Sequence, residues 1–246
     1  MESIIRQRLH DLNRQFYSEH AADFSATRQR LQPGVLRVVE ALQGDETILD
    51  LGCGNGGLAR TLSRRGHGGS YLGLDFSAAL LQEAQRQAFA FPARFLQADL
   101  AAPEWPQTVA AGRGFRAADG YDLAFAFAVL HHIPSAQLRL NVLRWIHALL
   151  RPQGRFIHSN WQFLTSEKSK SRIQTWDTIG LSSQDLEQND YLLDWKRGGK
   201  GLRYVHHFDE VELAELARAS GFEILETFFS DGENRKSSLY QLWKKP

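Results

Sequence analysis

The stretch Ile48–Phe76, ILDLGCGNGGLARTLSRRGHGGSYLGLDF, decides how this chain folds. Ile48, Leu49, Asp50 and Leu51 form a short apolar run broken by one carboxylate, the pattern of a buried parallel strand. Gly52, Gly54, Gly56 and Gly57 follow, with only Cys53 and Asn55 between them. Glycines at that spacing permit a sharp turn and let a ligand lie against bare backbone. Leu58 to Arg65 has helical composition, Tyr71 to Leu74 reads as a second strand, and Asp75 ends it.

Two ligand classes compete for such a turn. A dinucleotide site uses G-x-G-x-x-G, whose third glycine lets helix and strand pack closely. Here the pattern is D-L-G-C-G-N-G, with Asp50 at the strand end and Gly56 one residue early. That form resembles motif I of the class I S-adenosylmethionine (SAM) dependent methyltransferases. In either class an acid about twenty residues on takes two hydrogen bonds from a ribose diol, and Asp75 is placed for that role.

The rest of the chain supplies the frame. Its 246 residues fit one α/β domain with additions. Hydrophobic residues make up 43% and charged residues 23%, an ordinary globular composition. A net charge of +1 gives no global field to recruit nucleic acid or anionic lipid. Cys53 is the single cysteine, so neither an intrachain disulfide nor a multi-cysteine zinc site can form, and no metal is expected. A reducing, cytoplasmic compartment is the expectation. The N-terminal residues alternate apolar and charged types without a signal-peptide core, and no run of eighteen apolar residues spans a membrane.

In chain order, residues 2–18 carry Ile5, Leu9, Leu12 and Phe16 at helical spacing. Pro33 opens a second helix through about Leu42. Ser77 is placed as the N-cap of a helix bearing Leu80, Leu81, Ala84 and Ala88. Ala93 to Ala98 form a third strand followed by Asp99, and Pro103 to Gly120 reads as a loop with a turn of helix. Tyr121 to Ile133, YDLAFAFAVLHHI, is a fourth strand and its exit, apolar throughout and so buried on both faces. Ser135 starts a helix, and Arg155 to Asn160 form a fifth strand. From Trp161 the chain runs about forty residues to the helix capped by Asp209, a length typical of a lid. Phe222–Phe229 and Ser238–Trp243 close the chain as two strands with no helix between them. Alternating strands and helices predict a parallel sheet covered on both faces, ending in an antiparallel hairpin. This is the Rossmann-like, seven-stranded α/β arrangement of class I methyltransferases, here with N-terminal helices over residues 1–44, a SAM-binding core over 45–160, a lid over 161–207 and a C-terminal helix and strand pair over 208–246.

That resemblance implies a role for each strand end. The backbone from Gly52 to Gly56, with Cys53, Gly54 and Asn55, would lie along the methionine part of SAM, beside Asp50. Asp75 would hold the ribose hydroxyls. Phe76 and Leu100 would pack the adenine faces, Asp99 would accept from its amino group, and Phe127 would close the wall at the fourth strand. His131 and His132 sit where that strand opens towards the methyl group, placed to contact substrate, act as a base or order the loop. After transfer the product would be S-adenosylhomocysteine.

Three further stretches, FYSEHAADFSATR (16–28), AVLHHIPS (128–135) with IHSNW, and NDYLLDW (189–195) with LRYVHHFDEVEL, resemble the tRNA wobble-uridine methyltransferases, which esterify a 5-carboxymethyl group on U34. The resemblance implies that Tyr17 and Arg28 close over cofactor and substrate. Trp161, Trp195, Arg203, Tyr204 and His206 would line the substrate side. A carboxylate is already ionised near neutral pH and needs aiming rather than a base, which Arg28 or Arg203 could supply. Asp194 stands where that family has proline, and Val205 where it has a second tyrosine. Thr165–Arg203 holds seven Lys or Arg against six acids, a weak basic stripe for a tRNA enzyme. These relatives can need a small activator subunit. Two other functions stay open from sequence alone: methylation of a small-molecule metabolite beneath the lid, and a non-catalytic SAM-fold subunit that binds a partner.

Overall fold

A computed structural model describes residues 1–27, 30–111, 120–195 and 201–246. Helices α1 (Ser3–Glu19), α2 (Ala21–Thr27) and α3 (Pro33–Glu40) precede β1 (Thr47–Leu51). Next come α4 (Gly57–Arg64), β2 (Ser70–Asp75), α5 (Ala78–Gln85), β3 (Ala93–Gln97), α6 (Trp105–Ala111) and β4 (Tyr121–Phe127). A 3₁₀ turn at Leu130–His132 leads to α7 (Ala136–Leu149) and β5 (Leu150–Trp161). The long connection holds α8 (Glu167–Lys170), β6 (Ile173–Gln174), β7 (Asp190–Trp195) and β8 (Gly201–His206). The chain closes with α9 (Glu210–Ser220), β9 (Glu223–Ser230) and β10 (Ser238–Lys244).

Among the described residues the main sheet has seven strands in the order β3-β2-β1-β4-β5-β10-β9. The pairs β1–β2, β2–β3, β1–β4 and β4–β5 are parallel, whereas β10 runs antiparallel to β5 and β9. The α/β sheet and closing hairpin expected from sequence are therefore present. Residues of β1 alternate between its two faces. Ile48 packs with Val38 and Leu62 of α3 and α4, while Leu49 and Leu51 join Val142, Ile146 and Leu213 of α7 and α9. Burying each such side chain contributes roughly 1.5–3 kcal/mol. Strand order reverses between β1 and β4, and a crevice opens there at the carboxyl ends.

Two segments differ from their sequence reading. The turn of helix expected within residues 103–120 is longer than read, the seven-residue α6, because Trp105 and Val109 are buried against the core. The forty-residue connection forms a second, antiparallel sheet in the order β6-β7-β8. Its strands are covered on both sides: Leu193 and Val205 pack with Phe163, while Tyr204 packs with Leu9 and Leu181. Helix α1 ties it to the body, since Asn13 takes a hydrogen bond from Tyr204 N (2.8 Å) and donates to the carbonyls of Tyr204 and His132 (3.1 Å each).

Candidate active site

The carboxyl ends of β1, β2, β4 and β5 open into a cavity of about 470 Å³, in the size range of small-molecule sites. Its floor is the glycine turn. Gly52 and Gly54 have φ of +74° and +54°, left-handed values that L side chains rarely adopt. A Cβ on Gly52 would strike Val129 Cγ2 at 2.4 Å, whereas one on Gly54 would meet nothing and project into open space. The turn is fixed by Gly52 N and Cys53 N, which both donate to Leu74 O (2.7 and 2.9 Å). Gly54 N donates to Asp75 Oδ2 and Ser77 N to Asp75 Oδ1, both at 2.9 Å. Burial pushes the Asp75 carboxyl up, and those backbone amides only partly oppose it. Asp50 accepts from Tyr71 Oη at the bottom of the crevice. Its burial, opposed by Tyr71 and reinforced by the charge of Asp75, raises its pKa to about 7. Burial also drives the Cys53 thiol well up, so it behaves as an inert wall atom.

Asp50, Gly52, Cys53, Gly54, Asn55, Asp75, Phe76, Asp99, Leu100 and Phe127 all line this cavity, together with Tyr17, His132, Trp161 and Arg203. Gly56 is not a lining residue; it caps α4 with φ +75°, close against Ala84. Arg28 lies outside the described residues. Four further expected residues do not line the cavity. His131 is fully buried between the rings of His132 (4.4 Å) and Trp161 (4.5 Å). Burial, with the neighbouring His132, lowers its basicity well below the usual range, so it stays neutral at physiological pH. His206 is held between Asp190 (2.7 Å) and Glu212 (2.9 Å), because side chains alternate along β8, which gives Arg203 to the cavity and turns Tyr204 and His206 to its other face. Tyr204 donates to Asp190 Oδ1 (2.7 Å) and accepts from Arg139 Nη1 (3.3 Å) on that same side. Trp195 packs edge-on against Phe16 and His20, behind the cavity wall.

His132 and Tyr17 form a defined pair. His132 Nδ1 lies 3.1 Å from Tyr204 O, and a carbonyl can only accept, so Nδ1 carries the proton. In the neutral ring Nε2 is then an acceptor, and Tyr17 Oη donates to it at 2.7 Å. Arg203 is 6% exposed and lies over the Trp161 ring (4.4 Å) and the Phe16 ring (5.0 Å). Sequence reasoning missed His10, Asn13, Arg14 and Arg172, which also line the cavity. With Tyr17, the first three make a stripe at helical spacing on α1, a signal present in the sequence. Arg172 carries no such signal; its Nε and Nη2 donate to Asp194 O (2.8 and 2.6 Å) across the second sheet. Among the described residues no cluster of His, Cys, Asp or Glu could hold a metal ion, and no helix is long and apolar enough to cross a membrane.

A left-handed glycine cradle with room beside Gly54, acids at the ends of two successive strands and apolar walls at Phe76 and Leu100 suit a nucleoside bearing a charged amino-acid tail. The fold and this site define a class I methyltransferase. A family model for a methyltransferase domain matches residues 24–227, and the chain belongs to that family. A methyltransferase of Encephalitozoon cuniculi is 27% identical over 240 residues, covering 94% of this chain and 93% of the relative. The tRNA (carboxymethyluridine(34)-5-O)-methyltransferase ALKBH8 of Mus musculus is 31% identical over 182 residues. That match takes in 69% of this chain but only 24% of the mouse protein. Among solved structures, the Burkholderia thailandensis 1,6-didemethyltoxoflavin-N1-methyltransferase, with 1,6-didemethyltoxoflavin and S-adenosylhomocysteine bound, superposes with a TM-score of 0.64. It is 20% identical, covering 98% of this chain and 90% of that one.

Proposed function

We infer that the chain transfers the methyl group of SAM to an anionic oxygen of an acceptor held beneath the second sheet, with a tRNA wobble-uridine carboxymethyl group as the favoured acceptor. The observation that carries this reading is the joining of two halves in one cavity: the glycine cradle with Asp75 and Asp99 at one end, Arg203 and Arg172 at the other. SAM supplies the electrophile, a methyl on a sulfonium. The chain's work is positioning and exclusion of water. Gly52, Gly54 and Asp75 hold the tail and ribose, and Phe76, Leu100 and Asp99 hold the adenine. A guanidinium offers a planar fork that matches a carboxylate, and Arg203, stacked on Trp161, is pre-oriented for it. A carboxylate attacks without losing a proton, which agrees with a cavity in which His131 is sealed away.

The test is incubation with methyl-labelled SAM and total tRNA, followed by nucleoside analysis. Label in a base-treatment-labile ester on a modified uridine supports the reading, and label found only on small molecules overturns it. Repeating the assay with an added activator subunit tests the partner that the resemblance implies. A second reading, a small-molecule acceptor, is favoured by the net charge of +1, which supplies little general attraction for phosphates.

A further inference from the structure

Asp99 does not face the cavity alone. His10 Nε2 lies 3.0 Å from both of its carboxylate oxygens, bisecting the group. Ala101 N donates to Oδ1 at 3.0 Å, and Arg14 Nη1 approaches Oδ2 at 3.8 Å. Both side chains come from α1, far from Asp99 in sequence, and both line the cavity beside Phe76, Leu100 and Ala101. Since a carboxylate only accepts, His10 Nε2 carries a hydrogen in this contact. Burial pushes the Asp99 carboxyl up, but His10, Ala101 and Arg14 outweigh it and hold the group below the usual carboxylate range. The contacts on Oδ1 are two short ones; Oδ2 shares the His10 hydrogen and otherwise meets only the long Arg14 contact. An outer lone pair of Oδ2 is thus the acceptor left for a ligand.

We propose that His10, assisted by Arg14, is a positioning residue for purine recognition: it locks the Asp99 carboxylate so that its free lone pair selects a 6-amino purine over a 6-oxo purine. The proposal rests on the SAM reading of the cavity. A locked acceptor rewards an amino donor and repels an oxo group, whereas a carboxylate free to rotate and hydrate discriminates less. His10 also roofs the site, its side chain only 15% exposed, and so limits water at the contact. Helix α1 thereby reaches both ends of the cavity, the purine end through His10 and Arg14 and the acceptor end through Asn13 and Tyr17.

Isothermal titration calorimetry on the full chain decides this with two ligands, S-adenosylhomocysteine and its inosine counterpart. The wild type is expected to prefer the adenosine form by about tenfold or more, the ratio one well-made hydrogen bond supplies. Asp99→Asn, whose amide can donate to an oxo group, should erase or reverse that preference. His10→Phe fills the same space without a donor and should bring the ratio close to one. His10→Gln restores a donor of similar reach and should recover most of it. Equal weakening of both ligands in His10→Phe, or an unchanged ratio, overturns the proposal, because a merely structural histidine would behave that way. Failure of the wild type to bind either ligand overturns the cofactor reading and this one with it.

Discussion

The two ends of the cavity are built by opposite means. At the cofactor end the glycine cradle is local: Gly52, Gly54 and Asp75 lie within one βαβ unit, and the contacts fixing them reach no farther than from Gly52 N to Leu74 O. The acceptor end is assembled from afar. Asn13 reaches Tyr204 across 191 positions, Tyr17 reaches His132 across 115, and Arg139 reaches Glu187 across 48. Local construction leaves a readable motif, whereas distant construction leaves only scattered polar residues whose partners are unknown until the chain is folded.

This comparison can be broken most forcefully at Arg139. The side chain is 1% exposed and donates to Glu187 (2.9 Å), Ile133 O (3.2 Å) and Tyr204 Oη (3.3 Å). Arg139→Ala removes the guanidinium shared by Glu187 and Glu212 and leaves His206 to balance Asp190 and Glu212. Removing one member of a buried ionic network costs about 3–5 kcal/mol. Thermal unfolding should fall by roughly 10 °C. If the acceptor end is a separate unit in energetic terms, SAM binding by the folded fraction stays near wild type. Equal loss of both would mean the two ends are one cooperative body.

The converse change is Asp75→Ala. It removes the acceptor proposed for the ribose hydroxyls and the partner of Gly54 N. Two charge-assisted hydrogen bonds are worth about 3 kcal/mol together, so SAM affinity should drop on the order of a hundredfold. A SAM-induced rise in melting temperature, readily measured by scanning fluorimetry, should vanish. A variant that keeps the full shift sinks the ribose role of Asp75.

These contrasts explain what the sequence disclosed. The main sheet was legible because its central strands β1, β2 and β4 are largely apolar runs and its turns are marked by glycine and aspartate. Asp75, Phe76, Asp99 and Leu100 were found because each follows a strand directly. The second sheet escaped because β7 and β8 are covered on both faces by unlike partners, so neither a clean alternation nor an uninterrupted apolar run results. His206 looked like a substrate residue by resemblance, yet its two nitrogens are consumed by Asp190 and Glu212. Nothing in LRYVHHF tells which face of a strand His206 will take.

A smaller effect separates the ends by pH. Asp50 has a folded pKa of about 7 against an ordinary 3.8, so its contribution is fully favourable below 3.8 and is lost as pH rises towards and through 7. Asp50→Asn removes that loss. Relative to wild type the variant should gain on the order of 2 kcal/mol at pH 8 over pH 5, seen as a more positive difference in melting temperature. A difference that does not change with pH would mean that Asp50 is hydrated.

The smallest predicted effect lies at His206, in the acceptor half. Burial alone would lower its pKa, but Asp190 and Glu212 outweigh burial and raise it above 6.5. Arg139, which opposes the imidazolium, and the neighbouring His207 face the same cluster. Because both ring nitrogens point at carboxylates, the stable form is the imidazolium. Its stabilisation is therefore complete below pH 6.5 and is lost as pH rises through the raised folded value. The site is largely buried and balanced by several acids, so a contribution of about 1 kcal/mol is expected. His206→Gln can satisfy only part of the cluster and has no charge to lose. Its deficit against wild type should be largest near pH 6 and shrink as pH rises through the raised folded value. Hydrogen exchange should register that deficit in β7, β8 and the start of α9, and leave the amides of Gly52–Gly54 unchanged. Protection lost equally at the glycine turn would show that α1 transmits the change from one end of the cavity to the other.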